Sequence, residues 1–307
     1  MANIMRSTDF RSIVEPIMNE EFDGVYTQRA DEWKQIFSER NGIPRNYHEE
    51  PVLFGFGAAP ELPDGMPVTY QSGGVLFLKR YVYKVYGLAF ALTKVLVEDG
   101  DHIRIGATYS RHLAQSLIET KETIAANILN RAFNSSYTGG DGVSLINTAH
   151  PVAQNGTAAG FSNRLTTDAN LSQTSLEQML IQIRNAVDNN GKRIKLTPTK
   201  LVVSPSNLFQ AEVLLKSVLR TGTANNDINP VKSTGMLSEA AVMSRMTSTT
   251  AWFVQTDAPE GLKCLMRRKL EKSMEGDFET DSMRYKATER YDMGWTDPRA
   301  LYGTPGV

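Results

Sequence analysis

A histidine and an aspartate in the stretch "GGDGVSLINTAHP", residues 139–151, have the residue types for acid–base chemistry. The imidazole of His150 has a pKa of about 6.5 in water and is the usual kind of general base at neutral pH. Asp141 stands close enough in the chain to orient that imidazole. The alternative is a rigid turn that ends at Pro151, in which His150 only packs.

Hydrolysis is the reaction that such a histidine would support, but it requires a nucleophile. The chain contains no GxSxG motif, which would place a reactive serine on a sharp turn. Its single cysteine, Cys264, lies in "GLKCLMRRK", a pattern typical of a strand rather than of an activating helix start. The turn interpretation is therefore favoured, and a His150-based hydrolase remains the one enzymatic hypothesis.

Cofactor and metal sites have equally weak support. The segment "GFGAAP", residues 55–60, lacks the third glycine and the following helix of a dinucleotide-binding motif. The histidines show no HxH or HxxxH spacing, although His48 adjoins Glu49 and Glu50. We therefore predict no catalytic residue, no cofactor-binding residue and no metal ligand.

Composition indicates an ordinary globular protein of 307 residues, 41% hydrophobic and 22% charged. Its 33 basic and 34 acidic side chains give a net charge of −1, which provides no global attraction to nucleic acid or to an anionic membrane. A single cysteine excludes an internal disulfide framework. No apolar tract is long enough to span a bilayer and no signal peptide is apparent, so we expect no membrane partner.

The elements that must position these residues begin with a helix. No glycine or proline interrupts residues 107–138, and apolar residues at helical spacing predict a long helix over about 108–134. Before it, the glycine- and proline-rich residues 51–74 predict an extended excursion or hairpin, which a compact domain would not need without a partner. The N-terminal residues have the pattern of an amphipathic helix with breaks.

Further helices and strands follow towards the C-terminus. A helix is predicted after residue 171, with a capping box formed by Thr174 and Glu177 and a stop at Gly191. Residues 283–295 alternate between apolar and charged side chains and predict a strand with one packed face. The cluster "RRKLEK", residues 267–272, is interpreted as one side of a complementary charged interface.

As a whole, the chain resembles the major capsid proteins of tailed bacteriophages, including those of Mu-like prophages. The resemblance rests on the joint order of four stretches between about Tyr86 and Asp257: "YGLAFALTKVLVEDG", "AANILNRAFNSSYTGGDGVSLINTAHP", "LSQTSLEQMLIQIRNAVDNNGKRIKLTPTKLVVSP" and "AWFVQTD". It implies an α+β fold with an N-terminal arm, an extended loop, a long spine helix, a peripheral domain and an axial domain.

The resemblance also implies boundaries in this sequence. They are an N-terminal arm at 1–51, an extended loop at 52–81, a peripheral domain with the spine helix at 82–170, an axial domain at 171–250, and return strands of the peripheral domain with the C-terminus at 251–307. The segment around His150 would be the turn after the spine helix, steered by Gly140, Gly142 and Pro151.

The function implied is structural and non-catalytic. Such a subunit assembles as pentamers and hexamers into the icosahedral head of a virion, built in the host bacterial cytoplasm. Scaffolding, portal or decoration proteins are expected partners, and contact with the packaged double-stranded DNA is expected to be weak and non-specific. An encapsulin-like compartment, which encloses cargo enzymes instead of DNA, is the structural alternative, and the His150-based hydrolase is the enzymatic one.

Overall fold

The protein has a mixed α+β fold, as predicted, in a computed structural model that describes residues 7–28, 31–41, 45–93, 95–96, 102–152, 160–220, 227–277 and 282–307. The helices are α1 (Ser7–Gln28), α2 (His102–Asn130), α3 (Gln173–Arg184), α4 (Leu208–Lys216) and α5 (Pro230–Thr234). The strands are β1 (Ser38–Asn41), β2 (Tyr47–Phe54), β3 (Gly74–Val82), β4 (Lys84–Leu92), β5 (Pro198–Val203), β6 (Glu239–Val242), β7 (Trp252–Thr256), β8 (Leu262–Gly276), β9 (Met283–Trp295) and β10 (Leu301–Thr304).

These strands form two four-stranded sheets and one hairpin within the described residues. The first sheet has the order β1-β8-β9-β4, the second has the order β10-β7-β5-β6, and β2 pairs with β3. The long antiparallel pair β8–β9 forms the centre of the first sheet.

The boundary expected at residue 250 does not separate the two sheets. Strands β7 and β10 lie within residues 251–307, the expected peripheral return strands, but they pair in the second sheet with β5 and β6. The physical reason is their side chains, because Trp252, Val254 and Tyr302 are buried in the same core as α3 and β5. The chain therefore returns to the second sheet at its C-terminus.

The alternation predicted for β9 is confirmed. Tyr285, Ala287 and Tyr291 are buried on one face, whereas Arg284 and Lys286 are exposed on the other. The buried face packs against α1, α2 and neighbouring strands in two hydrophobic clusters. Strand β9 therefore packs the first sheet against α1 and α2.

The predicted spine helix exists, but α2 begins six residues before the expected start and ends at Asn130 instead of about residue 134. Its 29 residues extend roughly 43 Å at 1.5 Å per residue. The sequence does not indicate this early start, because a glycine such as Gly106 is unfavourable inside a helix and favours a boundary there. Gly106 instead lies inside α2, where a Cβ atom would collide with the Met18 side chain of α1.

Helix α1 packs along the spine helix rather than standing free. Its side chains Val14, Met18 and Phe22 are buried in a cluster that includes Leu113 and Leu117 of α2. The expected arm, residues 1–51, therefore includes a docked helix, and it also supplies β1, which pairs in parallel with β8.

The capping box predicted for α3, with Thr174 and Glu177, is two residues too far along the chain. Ser172, in extended conformation, accepts a hydrogen bond from the Ser175 backbone N–H at 3.2 Å, and the Ser175 hydroxyl accepts one from the Ser172 N–H at 3.0 Å. The helix ends at Arg184, so Gly191 does not stop it. With a φ of +76°, Gly191 instead serves the following turn, where a left-handed backbone favours glycine.

Candidate functional site

A long loop, residues 55–73, joins β2 to β3 and contains no helix or strand. Its backbone has little internal support: the Met66 N–H donates to the Pro63 carbonyl at 3.1 Å, and the Gly57 N–H donates to the Gln71 side chain at 2.8 Å. Its large apolar side chains are exposed, and Tyr70 reaches 96% exposure. The exposed set is Phe56, Leu62, Met66, Val68 and Tyr70.

The strands beside the long loop continue this apolar surface. The β2–β3 hairpin and the edge strand β4 carry further exposed aliphatic side chains. They are Leu53, Val75, Leu78, Val82, Val85 and Leu88. An exposed apolar surface of this extent is typical of a protein–protein contact, because a soluble monomer rarely leaves so much apolar area in water.

The base of the hairpin is fixed by a charged cluster around Lys263 of β8. The Lys263 side chain is fully buried, and its ammonium group contacts the carboxylates of both Glu50 on β2 and Glu260. Thr296 donates a hydrogen bond to Glu50 at 2.5 Å, and Arg40 of β1 pairs with Glu260 at 2.8 Å. The cluster therefore joins the hairpin to the first sheet.

These contacts change the acidity of the two carboxyl groups. Burial alone would raise the pKa of Glu50, but the hydrogen bonds from Lys263 and Thr296 and the Lys263 charge outweigh burial and lower it. The pKa of Glu260 is also lowered, because Lys263 and Arg40 together outweigh the effect of burial. Both carboxyl groups are thus held in the charged form that the cluster requires.

The His150 region is a buried hydrogen-bonded turn. Nδ1 of His150 lies 2.6 Å from Oδ2 of Asp141, and Nε2 lies 3.0 Å from Oδ1 of Asn163. The fully buried ring stacks on Phe161, with the ring centroids 4.7 Å apart. Asp141 does orient the imidazole, as its position in the chain suggested. Both ring nitrogens are engaged, however, so His150 holds a turn rather than facing a substrate.

Two glycines near this turn have specific conformational roles. Gly142 has a φ of +81°, which favours glycine. At Gly140, a Cβ atom would lie 3.1 Å from the carbonyl oxygen of Leu78 and 3.2 Å from the backbone nitrogen of Lys79. The segment after the spine helix therefore lies against the backbone of β3.

A buried ion pair joins the spine helix to the first sheet. Lys121 of α2 and Glu289 of β9 are 6% and 1% exposed, and Lys121 also donates to the Tyr26 hydroxyl at 2.8 Å. Burial alone would lower the pKa of Lys121, but Glu289 and Tyr26 outweigh it and raise that pKa. Burial is the main cause that raises the pKa of Tyr26 to about 12. Sequence analysis missed this pair.

A second exposed apolar surface lies on the side of the molecule that carries α4 and α5. Phe209 is 80% exposed although it belongs to a helix whose opposite face is buried. Other exposed apolar residues follow along the chain towards α5. They are Val213, Val218, Leu219 and Ile228. We call these five residues the α4 patch.

Other candidates for chemistry lie apart from one another. Cys264 is buried in β8, and burial is the main cause that raises the pKa of its thiol to about 12. The segment 55–60 belongs to the exposed long loop. Within the described ranges, no group of three or more His, Cys, Asp or Glu residues could hold a metal ion. No helix in those ranges is long and apolar enough to cross a lipid bilayer.

Buried polar clusters that fix the fold, together with a long exposed apolar loop, are typical of a structural protein that contacts other protein subunits. The family model described as phage capsid protein matches residues 80–303, which is more than half of the chain. The chain belongs to this phage capsid protein family. It is therefore a structural protein of the virion capsid. No curated protein sequence matches it.

Solved structures show the same fold at low sequence identity. The capsid of cyanophage P-SCSP1u matches with a TM-score of 0.58 and 11% identity, covering 91% of this chain and 89% of that chain. The capsid of myovirus XM1 has a TM-score of 0.52 and 10% identity, with coverages of 91% and 92%. The procapsid of bacteriophage JBD30 has a TM-score of 0.51 and 12% identity, with coverages of 98% and 76%.

Proposed function

We propose that this protein is the major subunit of an icosahedral phage head and that it assembles as pentamers and hexamers around the genome. The observation that carries the proposal is the long loop, residues 55–73, whose apolar side chains remain exposed in the isolated subunit. Burial against a second subunit would remove this area from water and supply a favourable free energy of assembly.

In this proposal the long loop lies across a neighbouring subunit. The loop has few hydrogen bonds of its own, so an isolated subunit leaves its backbone open to water and protease. Contacts with a neighbour would order it and would stabilise the bound state by mass action. The hairpin cluster around Lys263 would fix the direction in which the loop leaves its own subunit.

In this proposal each subunit uses two different surfaces, one to bind each of its two neighbours, and rings form as a result. A loop that binds a different surface on the next subunit makes a head-to-tail contact, and such contacts close into rings when the rotation between subunits permits. The α4 patch would supply a second contact, near the centre of each pentamer or hexamer. Phe209 is the side chain there with the largest exposed fraction.

The proposed partners follow from charge and from the shell itself. A formal net charge of −1 fits a wall that contacts packaged double-stranded DNA weakly and without sequence preference. Scaffolding, portal or decoration proteins would contact the assembled subunits, and assembly would take place in the host bacterial cytoplasm. We assign no catalysis to the protein, since both ring nitrogens of His150 are engaged by Asp141 and Asn163.

Negative-stain microscopy and sedimentation velocity of the purified protein test this function. We expect rings of five or six subunits and closed hollow particles. A compact, monodisperse monomer at high concentration would contradict the proposal. Particles that enclose a cargo enzyme instead of DNA would replace the phage head with an encapsulin-like compartment.

A further inference from the structure

A basic cleft of about 650 Å³ lies between the hairpin, the first sheet and the end of the spine helix. Its basic side chains are Lys79, Arg80, Lys84 and Arg131. Its lining also includes apolar side chains, Ile124 and Ile128 from α2 and Met293 from β9, which we call the apolar floor of the cleft. The volume is within the range of protein binding pockets, which is about 300 to 1,000 Å³.

Three cations of the basic cleft have no direct ion-pair partner among the described residues, although the charge of Asp292 acts on Lys79 and Lys84 and that of Asp141 acts on Lys79. Arg80 pairs with Glu49 at 2.6 Å, but Lys79, Lys84 and Arg131 form no ion pair with any residue that the structure describes. Lys79 donates to the Thr138 carbonyl at 3.3 Å, and burial is the main cause that lowers its pKa. The cleft therefore has a surplus of positive charge.

One carboxylate, that of Asp292, also lines the cleft. Its two oxygens accept hydrogen bonds from the backbone N–H groups of Val82 at 3.0 Å and Met293 at 3.1 Å. Burial is the main cause that raises the pKa of Asp292. Asp292 and Asp141 are two carboxylates against the three cations Lys79, Lys84 and Arg131, so the cleft keeps a positive surplus and favours an anionic occupant.

The tip of the long loop has the complementary chemistry. Its sequence "PELPDGMP", residues 60–67, contains Glu61 and Asp64 next to Leu62 and Met66. All four side chains are exposed, and the two acids form no ion pair with any described residue. No lysine, arginine or histidine occurs from residue 55 to residue 78. The tip thus offers two carboxylates and two apolar groups to a basic cleft with an apolar floor.

We propose that the acidic tip of one subunit's long loop docks in the basic cleft of a neighbouring subunit. Glu61 and Asp64 bind the cations of the cleft, among which Lys84 and Arg131 are exposed, and Leu62 and Met66 pack on its apolar floor. This inference rests on the proposed shell assembly and names the surface that receives the loop. Complementary charge of this kind fixes which partner and which register are accepted.

Charge reversal tests the contact. We expect Glu61→Lys with Asp64→Lys, and separately Lys84→Glu with Arg131→Glu, each to raise the protein concentration needed for assembly by about tenfold or more, because like charges then face each other. All four substitutions in one chain should restore assembly, since the attraction is re-created with its sign reversed. Lys84→Arg with Arg131→Lys keeps the charge and should assemble at a concentration much closer to that of the parent protein than to that of the reversed variant.

A mixing experiment shows whether the contact is between subunits. At a protein concentration at which neither variant assembles alone, equal amounts of the loop-reversed and cleft-reversed proteins should together form six-membered rings, in which the two variants alternate and each supplies the partner that the other lacks. If the loop docked in its own cleft, mixing would fail while the fourfold variant still assembled, and this result would overturn the proposal. Thermal unfolding of each unassembled variant verifies that it is folded.

The remaining outcomes separate this contact from the assembly itself. If the unaltered protein forms no particles, the proposed shell function fails. If it forms particles and both reversed variants do so at the same concentration, the shell function stands and the docking site is wrong. If the cleft-reversed variant assembles normally but no longer retains DNA, the cleft binds phosphates and the docking proposal is also overturned.

Discussion

The ammonium nitrogen of Lys121 lies 2.6 Å from Oε2 of Glu289, although 168 residues separate the two in the chain. The Tyr26 hydroxyl donates to the same carboxylate oxygen at 3.1 Å. These three side chains come from α1, α2 and β9. The pair therefore joins the docked N-terminal helix, the spine helix and the first sheet at one buried point.

Removal of one member of this pair should be costly. We expect Lys121→Met to lower the free energy of unfolding by about 3 to 5 kcal/mol, since the Glu289 carboxylate would remain buried without its cation. Lys121→Met combined with Glu289→Leu should cost much less, because no uncompensated charge remains. Urea denaturation of the unassembled subunit measures both.

A matched control is the exposed pair Lys216–Glu212 on α4. Glu212→Ala should change the free energy of unfolding by about 0.5 kcal/mol or less, because solvent screens an exposed pair. Equal losses for Lys121→Met and Glu212→Ala would contradict the assignment of Lys121–Glu289 as a buried structural pair.

The His150 turn should respond to mutation through stability alone. We expect His150→Ala to lower the free energy of unfolding by about 2 to 4 kcal/mol, because the Asp141 carboxylate loses a partner and a cavity opens beside Phe161. Thermal and urea denaturation measure the loss. A hydrolytic activity that is present in the parent protein and disappears in this variant would overturn the structural role.

Acid should weaken the hairpin cluster. The folded-state pKa of Glu50 lies below its ordinary value, so its charge stabilises the fold at pH values above the unfolded pKa of about 4.3. That contribution is lost as the pH falls through the lowered folded-state pKa. We therefore expect the difference in unfolding free energy between the parent and Glu50→Gln to be largest near neutral pH and to shrink in acid. Urea titrations of unassembled subunits at several pH values measure it, and a difference that is constant with pH would contradict the expectation.

Limited proteolysis should distinguish the free and assembled states of the long loop. Dissociated subunits should be cut early near Asp64, because the exposed backbone there opens at little cost. Assembled particles should be protected, since contacts with a neighbour suppress that opening. Mass spectrometry of the fragments locates the cut. Equal cleavage rates in the two states would show that the loop is not covered by a neighbouring subunit.

Local pattern was enough to predict much of the architecture. The period-two alternation of β9 identified its buried face, and the helical spacing after residue 107 identified α2, because both patterns record which side chains face a core. The glycine- and proline-rich composition of residues 51–74 indicated the excursion that the structure shows between β2 and β3. Each of these features is set mainly by neighbours in the chain.

The features that sequence analysis missed depend on distant partners. Glu289 stands at a buried position of β9, where its charge is acceptable only because Lys121 lies opposite. Gly106 lies inside α2 although glycine is unfavourable in a helix, because the absence of a side chain leaves room for Met18. The basic cleft is similar, because Lys84 and Arg131 come from separate elements that the chain alone does not bring together.

The close approach of Gly140 to β3 has a mechanical consequence. Because a Cβ atom at Gly140 would lie within 3.2 Å of the β3 backbone, the turn after the spine helix is in close contact with the hairpin, and a tilt of the hairpin towards that turn would meet it at once. Leu78 stands four residues from the start of β3, so a rotation of about 10° at this contact would displace that end of the strand by roughly 2 Å at 3.3 Å per residue. A small rotation at the Gly140 contact would therefore be amplified along β3 towards the long loop.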